Sequence, residues 1–150
     1  MPGSAYAYCE GLIVVGCSRS KTVTSAPVPA LELYQGWCMP KLRDRIGHLP
    51  QACERTMILS ARHGLIAAHA PVTTYDQAMT PERASQLRPA CATALSRQLA
   101  AHPSNRALLL AEPLYLDALG PLPVTEVHTV TRPLEEWDDV EQTLADWGWM

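Results

Sequence analysis

The residues best suited to chemistry fall in three short polar runs, each directly after an apolar one. The first is Gly16-Cys17-Ser18-Arg19-Ser20-Lys21, following Gly11-Leu12-Ile13-Val14-Val15. Its hydroxyls, its two cations Arg19 and Lys21, and the backbone amides of such a turn suit a phosphate or carboxylate. The glycine spacing of a P-loop is absent, and an ordinary polar loop is the plain alternative. Cys17 is either a nucleophile whose pKa a neighbouring Lys or Arg lowers, or a buried structural thiol, the commoner role.

The second run is Ser60-Ala61-Arg62-His63-Gly64-Leu65, after Thr56-Met57-Ile58-Leu59. Ser60 ends the apolar stretch, and Gly64 permits a tight turn with positive φ. His63 titrates near neutrality and suits general acid–base work, against the plain reading of a solvated loop histidine. Downstream, Tyr75 and Asp76 put an aromatic ring beside a carboxylate. The ring suits stacking on a base, and Asp76 suits a ribose hydroxyl; the alternative is an Asx-type turn into the next helix. The third run, Glu112-Pro113-Leu114-Tyr115, follows Arg106-Ala107-Leu108-Leu109-Leu110-Ala111. An acid at the mouth of a buried strand is a candidate nucleophile or general acid. The same acid also suits the start of a short helix.

His48, His69, His102 and His128 share no metal-ligand spacing with one another or with the cysteines, so no metal or other cofactor is expected. Trp147 and Trp149 read as core or interface anchors.

The three apolar runs lack alternation, as strands covered on both faces do. Val124–Val130 alternates partly and reads as a strand nearer an edge. Helices are expected from Met39 to His48, from Thr80 to about Ala101, from Leu114 to Leu119 and from Leu134 to Trp147. Thr80 is placed as an N-cap, with Pro81 in the first turn. Pro89 is expected to kink or split its helix. Strand–helix alternation predicts an α/β fold: a single domain with a mostly parallel four-stranded sheet flanked by helices. Ligands of such sheets sit beyond the carboxyl ends of the strands, where the three polar runs fall.

The chain has 150 residues, suited to one core, and residues 1–10 read as a short N-terminal extension. Apolar residues make up 47% and charged residues 18%, which excludes a disordered chain. No apolar run is long enough for a membrane helix. Five cysteines without paired spacing, and no targeting segment, fit a reducing cytoplasm. The net charge is −3, which argues against a protein that coats nucleic acid. Charge is uneven: Lys and Arg predominate up to residue 64, and acids after it. Either the basic half holds an anionic ligand, or the acidic stretch after Pro133 is a solvated helix face.

The order Gly16-Cys17-Ser18-x-x-Lys21, Leu33-Tyr34-Gln35-Gly36, Ile58-Leu59-Ser60-Ala61-Arg62-His63-Gly64-Leu65 and Tyr75-Asp76 resembles a bacterial family of unknown function. That family is distantly similar to the peroxide-stress proteins. The Cys-Ser-x-x-Lys loop also resembles the core domain of archaeosine synthase, whose fold is similar to uracil-DNA glycosylase. Leu108–Ala111 with Tyr115, and the later Pro133-Leu134, fit the same pattern, so that the resemblance spans residues 12–137. It implies an α/β domain with a pocket for a base, nucleoside or nucleotide. Carried over, that pocket takes Cys17, Ser18, Lys21, Tyr34, Ser60, His63, Gly64, Tyr75 and Asp76. Glu112 departs from it, standing where such proteins usually have Gly.

The expected function is that of an enzyme of nucleosides or nucleotides, through cleavage or exchange at the N-glycosidic bond or action on the nucleobase. Glu112, His63 and Asp76 are the catalytic candidates. Cys17, Ser18, Arg19, Lys21, Tyr34, Ser60, Gly64, Tyr75 and Tyr115 are the binding candidates. The rival is a binding module without chemistry, whose Arg19, Lys21, Lys41, Arg43, Arg45, Arg55 and Arg62 meet the phosphates of nucleic acid. The expected partner is a small nucleoside or nucleotide, with nucleic acid less favoured, no membrane, and a homodimer open.

Overall fold

A computed structural model describes residues 11–16 and 25–149. The three apolar runs become its central strands. β1 (Gly11–Gly16) is buried at every residue. β2 (Val28–Pro29) is a two-residue strand, and β3 (Thr56–Ser60) is again wholly buried. β4 (Gly64–Ala67) returns beside β3, and β5 (Pro71–Val72) pairs antiparallel with β2. β6 (Arg106–Leu110) and β7 (Glu126–Val130) complete the set. The main sheet runs β4-β3-β1-β6-β7, parallel except for β4.

The sheet thus has five strands. The added one, β4, hides in the sequence because Gly64-Leu65-Ile66-Ala67 looks like the tail of a polar turn. A hairpin through Ala61, Arg62 and His63 folds it back, with Ser60 opposite Gly64.

Among the described residues, six helices cover the two faces. One face, carrying Ile13, Val15, Ile58, Leu108 and Leu110, packs against α1 (Ala30–Leu33), α2 (Met39–Ile46), α3 (Pro50–Glu54) and α6 (Trp137–Asp146). The other, carrying Leu12, Val14, Met57, Leu59 and Leu109, packs against α4 (Pro81–Ala101) and α5 (Pro113–Leu119). Both faces of the central strands are therefore apolar, which is why their sequences run without alternation. None of the described helices is long and apolar enough to cross a membrane.

Three helix expectations need correction. α4 is not split at Pro89 and runs unbroken from Pro81 to Ala101. Ser85, whose carbonyl loses its amide partner, lies with Pro89 on the exposed side, where water satisfies that carbonyl. The last helix begins at Trp137 rather than Leu134; Leu134 is 46% exposed, in a turn closed by the Glu135 and Glu136 amides on the Arg132 carbonyl. α2 stops at Ile46, two residues before His48. The Thr80 cap forms as expected, its hydroxyl accepting from the Arg83 amide at 3.1 Å.

Candidate functional site

Topology selects one end of the molecule. β1 and β6 are neighbours, yet the helices following them lie on opposite faces of the sheet. This is the switch point at which α/β sheets open a crevice beyond the carboxyl ends of their strands. Ser60, Gly16 and Ala111 mark those ends on β3, β1 and β6. Two strand spacings separate β3 from β6, about 10 Å.

On the β3 side a string of hydroxyls converges. The Ser60 hydroxyl lies 2.7 Å from the Tyr75 phenol, and the Tyr75 phenol 2.6 Å from that of Tyr34. Ser60 Oγ also accepts from the Arg62 and His63 amides, each at 3.1 Å. A hydroxyl has two lone pairs and one proton. With both lone pairs taken, Ser60 donates to Tyr75, and a second hydroxyl hydrogen bond joins Tyr75 to Tyr34. The direction of the Ser60–Tyr75 bond is thus set by two backbone amides. Ser60 and Tyr34 are fully buried, while Tyr75 is half-buried at the opening.

The His63 ring stands edge-on to Tyr75, with ring centres 5.2 Å apart and planes at 84°. Tyr34 and Tyr75 are also edge-on, at 6.3 Å. Partial burial, and secondarily the Arg62 guanidinium, push the His63 pKa below its ordinary 6.5. Its imidazole is therefore neutral at pH 7, an acceptor or a neutral donor. Gly64, at φ +77°, makes the turn that returns the chain from His63 to β4.

Arg83 holds this turn from outside. Its Nε donates to the Ala61 carbonyl and its Nη2 to the Arg62 carbonyl, both at 2.7 Å. Arg83 stands outside the candidate residues named from the sequence. A signal existed: a cation in the first turn of a helix opposes the helix dipole and calls for another reason to be there.

On the β6 side, Glu112 is exposed at the N-cap of α5, and its side chain makes no capping hydrogen bond. Only its carbonyl is used by the helix, accepting from Tyr115 and Leu116. The Tyr115 ring lies over the end of β1: a Cβ on Gly16 would come 3.4 Å from Tyr115 Cγ. Glu112 and Tyr115 thus flank β1 on one side, and Ser60, His63, Tyr75 and Tyr34 gather on the other. Asp76 is exposed next to Tyr75. Cys17, Ser18, Arg19 and Lys21 lie outside the described residues.

The basic residues of the rival binding surface are largely engaged within the chain. Arg43 donates to the Leu31 carbonyl at 3.1 Å and to Gln35, and Arg55 to the Pro103 carbonyl at 2.9 Å. Arg45 pairs with Glu141 at 2.8 Å, and Lys41 sits 5.5 Å from the centre of the Trp137 ring. Among the described residues, no group of three His, Cys, Asp or Glu side chains is arranged to hold a metal ion.

Comparison with curated proteins, and with solved structures, gives no match. A family model described as a family of unknown function (DUF6884) matches residues 12–145, and so covers every element from β1 to α6. Nothing in that match links the chain to the peroxide-stress or archaeosine synthase proteins. The chain belongs to this family of unknown function, DUF6884.

Proposed function

We propose that the protein is an enzyme of nucleosides or nucleotides that acts at the N-glycosidic bond, within the broader resemblance to peroxide-stress proteins and the archaeosine synthase core. The reading is supported by the switch point between β1 and β6, with the uncapped carboxylate of Glu112 and the Tyr115 ring following β6, and with Tyr75 beside His63 near the end of β3. Tyr75 and Tyr115 supply flat surfaces for a base. Ser18, Arg19 and Lys21, on their sequence alone, supply the groups for a phosphate.

In the reaction the bond between C1′ and the base nitrogen breaks, and its electron pair leaves with the base, which takes up a proton from solvent water. Glu112 stabilises the positive charge developing at C1′, as carboxylates do in glycoside hydrolysis. Water then adds at C1′, and its proton passes to the neutral His63. Asp76, exposed beside Tyr75, supplies a carboxylate for a ribose hydroxyl. The cysteines described, Cys38, Cys53 and Cys91, are all unpaired, in keeping with a reducing cytoplasm.

The test is incubation with a panel of nucleosides and nucleotides, with free base detected by chromatography. Release by the wild-type protein, and its loss in Glu112→Gln, supports the reading. Absence of release from every compound, or equal release by the variant, removes it.

A further inference from the structure

The two edges of the main sheet are unlike. β4, at one edge, has two buried residues and two half-buried ones, and α4 packs beside it. β7, at the other, is exposed at four of its five residues. Among the described residues no strand pairs with its outer side. β7 has no Pro, no Lys and no bulge in its register with β6, and Glu126 is the one acid on this edge. Val127, 47% exposed, is one of two large apolar side chains exposed among the described residues.

We propose that β7 pairs antiparallel with β7 of a second copy, centred on Thr129, joining two sheets into one. The register carries the pairing past the end of β7 over Thr131, a bend in the single chain, and Arg132, and the sequence is self-complementary in it. Thr129 meets the partner's Thr129, Val127 the partner's Thr131, and His128 the partner's Val130. Glu126 meets the partner's Arg132. β-Branched and Thr–Thr pairs of this kind are the favourable cross-strand contacts. Recentring the pair on His128 sets Glu126 against Val130 and loses the charge match, so charge selects the register.

The acids of α6, which lies over the same face of β7 as His128, are mostly occupied within the chain. Asp139 bonds His128 at 2.9 Å, Glu141 bonds Arg45, and Asp146 accepts from Gln142 at 2.8 Å. Glu135 pairs with Arg132 at 3.4 Å and Glu126 with Arg106 at 3.6 Å, both on the surface. Exchange of exposed pairs across the seam fixes register and adds little affinity. A seam this short lies below the standard interface size, so the dimer is weak.

Sedimentation equilibrium at physiological salt tests it. The wild-type mass is expected to climb with concentration from 16.4 kDa toward twice that value. Thr129→Lys, which sets two ammonium groups at the axis, stays monomeric with an unchanged circular dichroism spectrum. Glu126→Arg weakens association, and adding Arg132→Glu restores it. A wild-type protein that stays monomeric throughout, a Thr129→Lys variant that dimerises as well as wild type, or a double variant without rescue overturns the proposal.

Discussion

The Ser60 hydroxyl donates to the Tyr75 phenol across 2.7 Å, linking the end of a buried strand to a loop fifteen residues further on. Because Ser60 also receives the Arg62 and His63 amides, its removal leaves two part-buried donors without that acceptor. Ser60→Ala is expected to cost about 1–3 kcal/mol in urea unfolding. It also frees Tyr75 from its fixed orientation, so nucleotide affinity falls too. Tyr75→Phe keeps the ring and loses both hydroxyl bonds, and is expected to bind a base more weakly without the same loss of turn stability.

Arg83 spans from the first turn of α4 to the Ala61 and Arg62 carbonyls. Arg83→Met preserves most of the aliphatic stem and removes the donors. Stability is expected to fall by about 1–2 kcal/mol, since the side chain is only half-buried. Hydrogen exchange should quicken first at residues 61–64, well before β3 itself opens. Uniform change across the sheet would mean that Arg83 does not clamp the turn.

His63 has a folded-state pKa below 6.5, through partial burial and then Arg62. The unfolded chain therefore binds more protons than the folded one as pH falls past 6.5, and stability rises with pH through that window. The contribution is fully present above 6.5 and is lost as the pH drops through the folded value. An NMR titration of the His63 ring should give a midpoint below 6.5. The acid limb of any turnover should follow that midpoint and vanish in His63→Gln.

Gly11 opens β1 against the Trp147 ring. A Cβ there would lie 2.5 Å from Trp147 Cε3 and Cζ3, so the ring or the strand must move. Trp147 is itself packed edge-on against the buried Trp149, with ring centres 5.2 Å apart. Gly11→Ala is expected to destabilise by about 1–3 kcal/mol, and to change the tryptophan emission of the folded state. An unchanged unfolding midpoint would contradict the close approach.

The central strands were legible because burial on both faces writes an unbroken apolar run, as in Leu12–Val15 and Ala107–Ala111. The Thr80 cap was legible because its side chain and the following proline act within one turn. Long-range effects were not. β4 depends on a hairpin whose loop, Ala61 to His63, looks like any polar segment. Pro89 survives inside α4 because its side of the helix faces water, which periodicity does not reveal. Leu134 fits the helical spacing, yet the turn on the Arg132 carbonyl keeps it outside. Of the candidate residues, the fold brings Ser60, His63 and Tyr75 together. The amides that set the Ser60 hydroxyl direction and the Arg83 clamp were not legible, since each requires segments brought together by the fold.

The account rests on Glu112 working at C1′ of a bound nucleoside or nucleotide. The direct measurement is the single-turnover rate of base release by wild type and by Glu112→Gln, with ligand affinity measured in parallel. The expected result is a rate lower by roughly a hundredfold or more in the variant, at nearly unchanged affinity, as loss of a group acting in the transition state requires. Equal rates in the two proteins, or no release by either at saturating ligand, would contradict it.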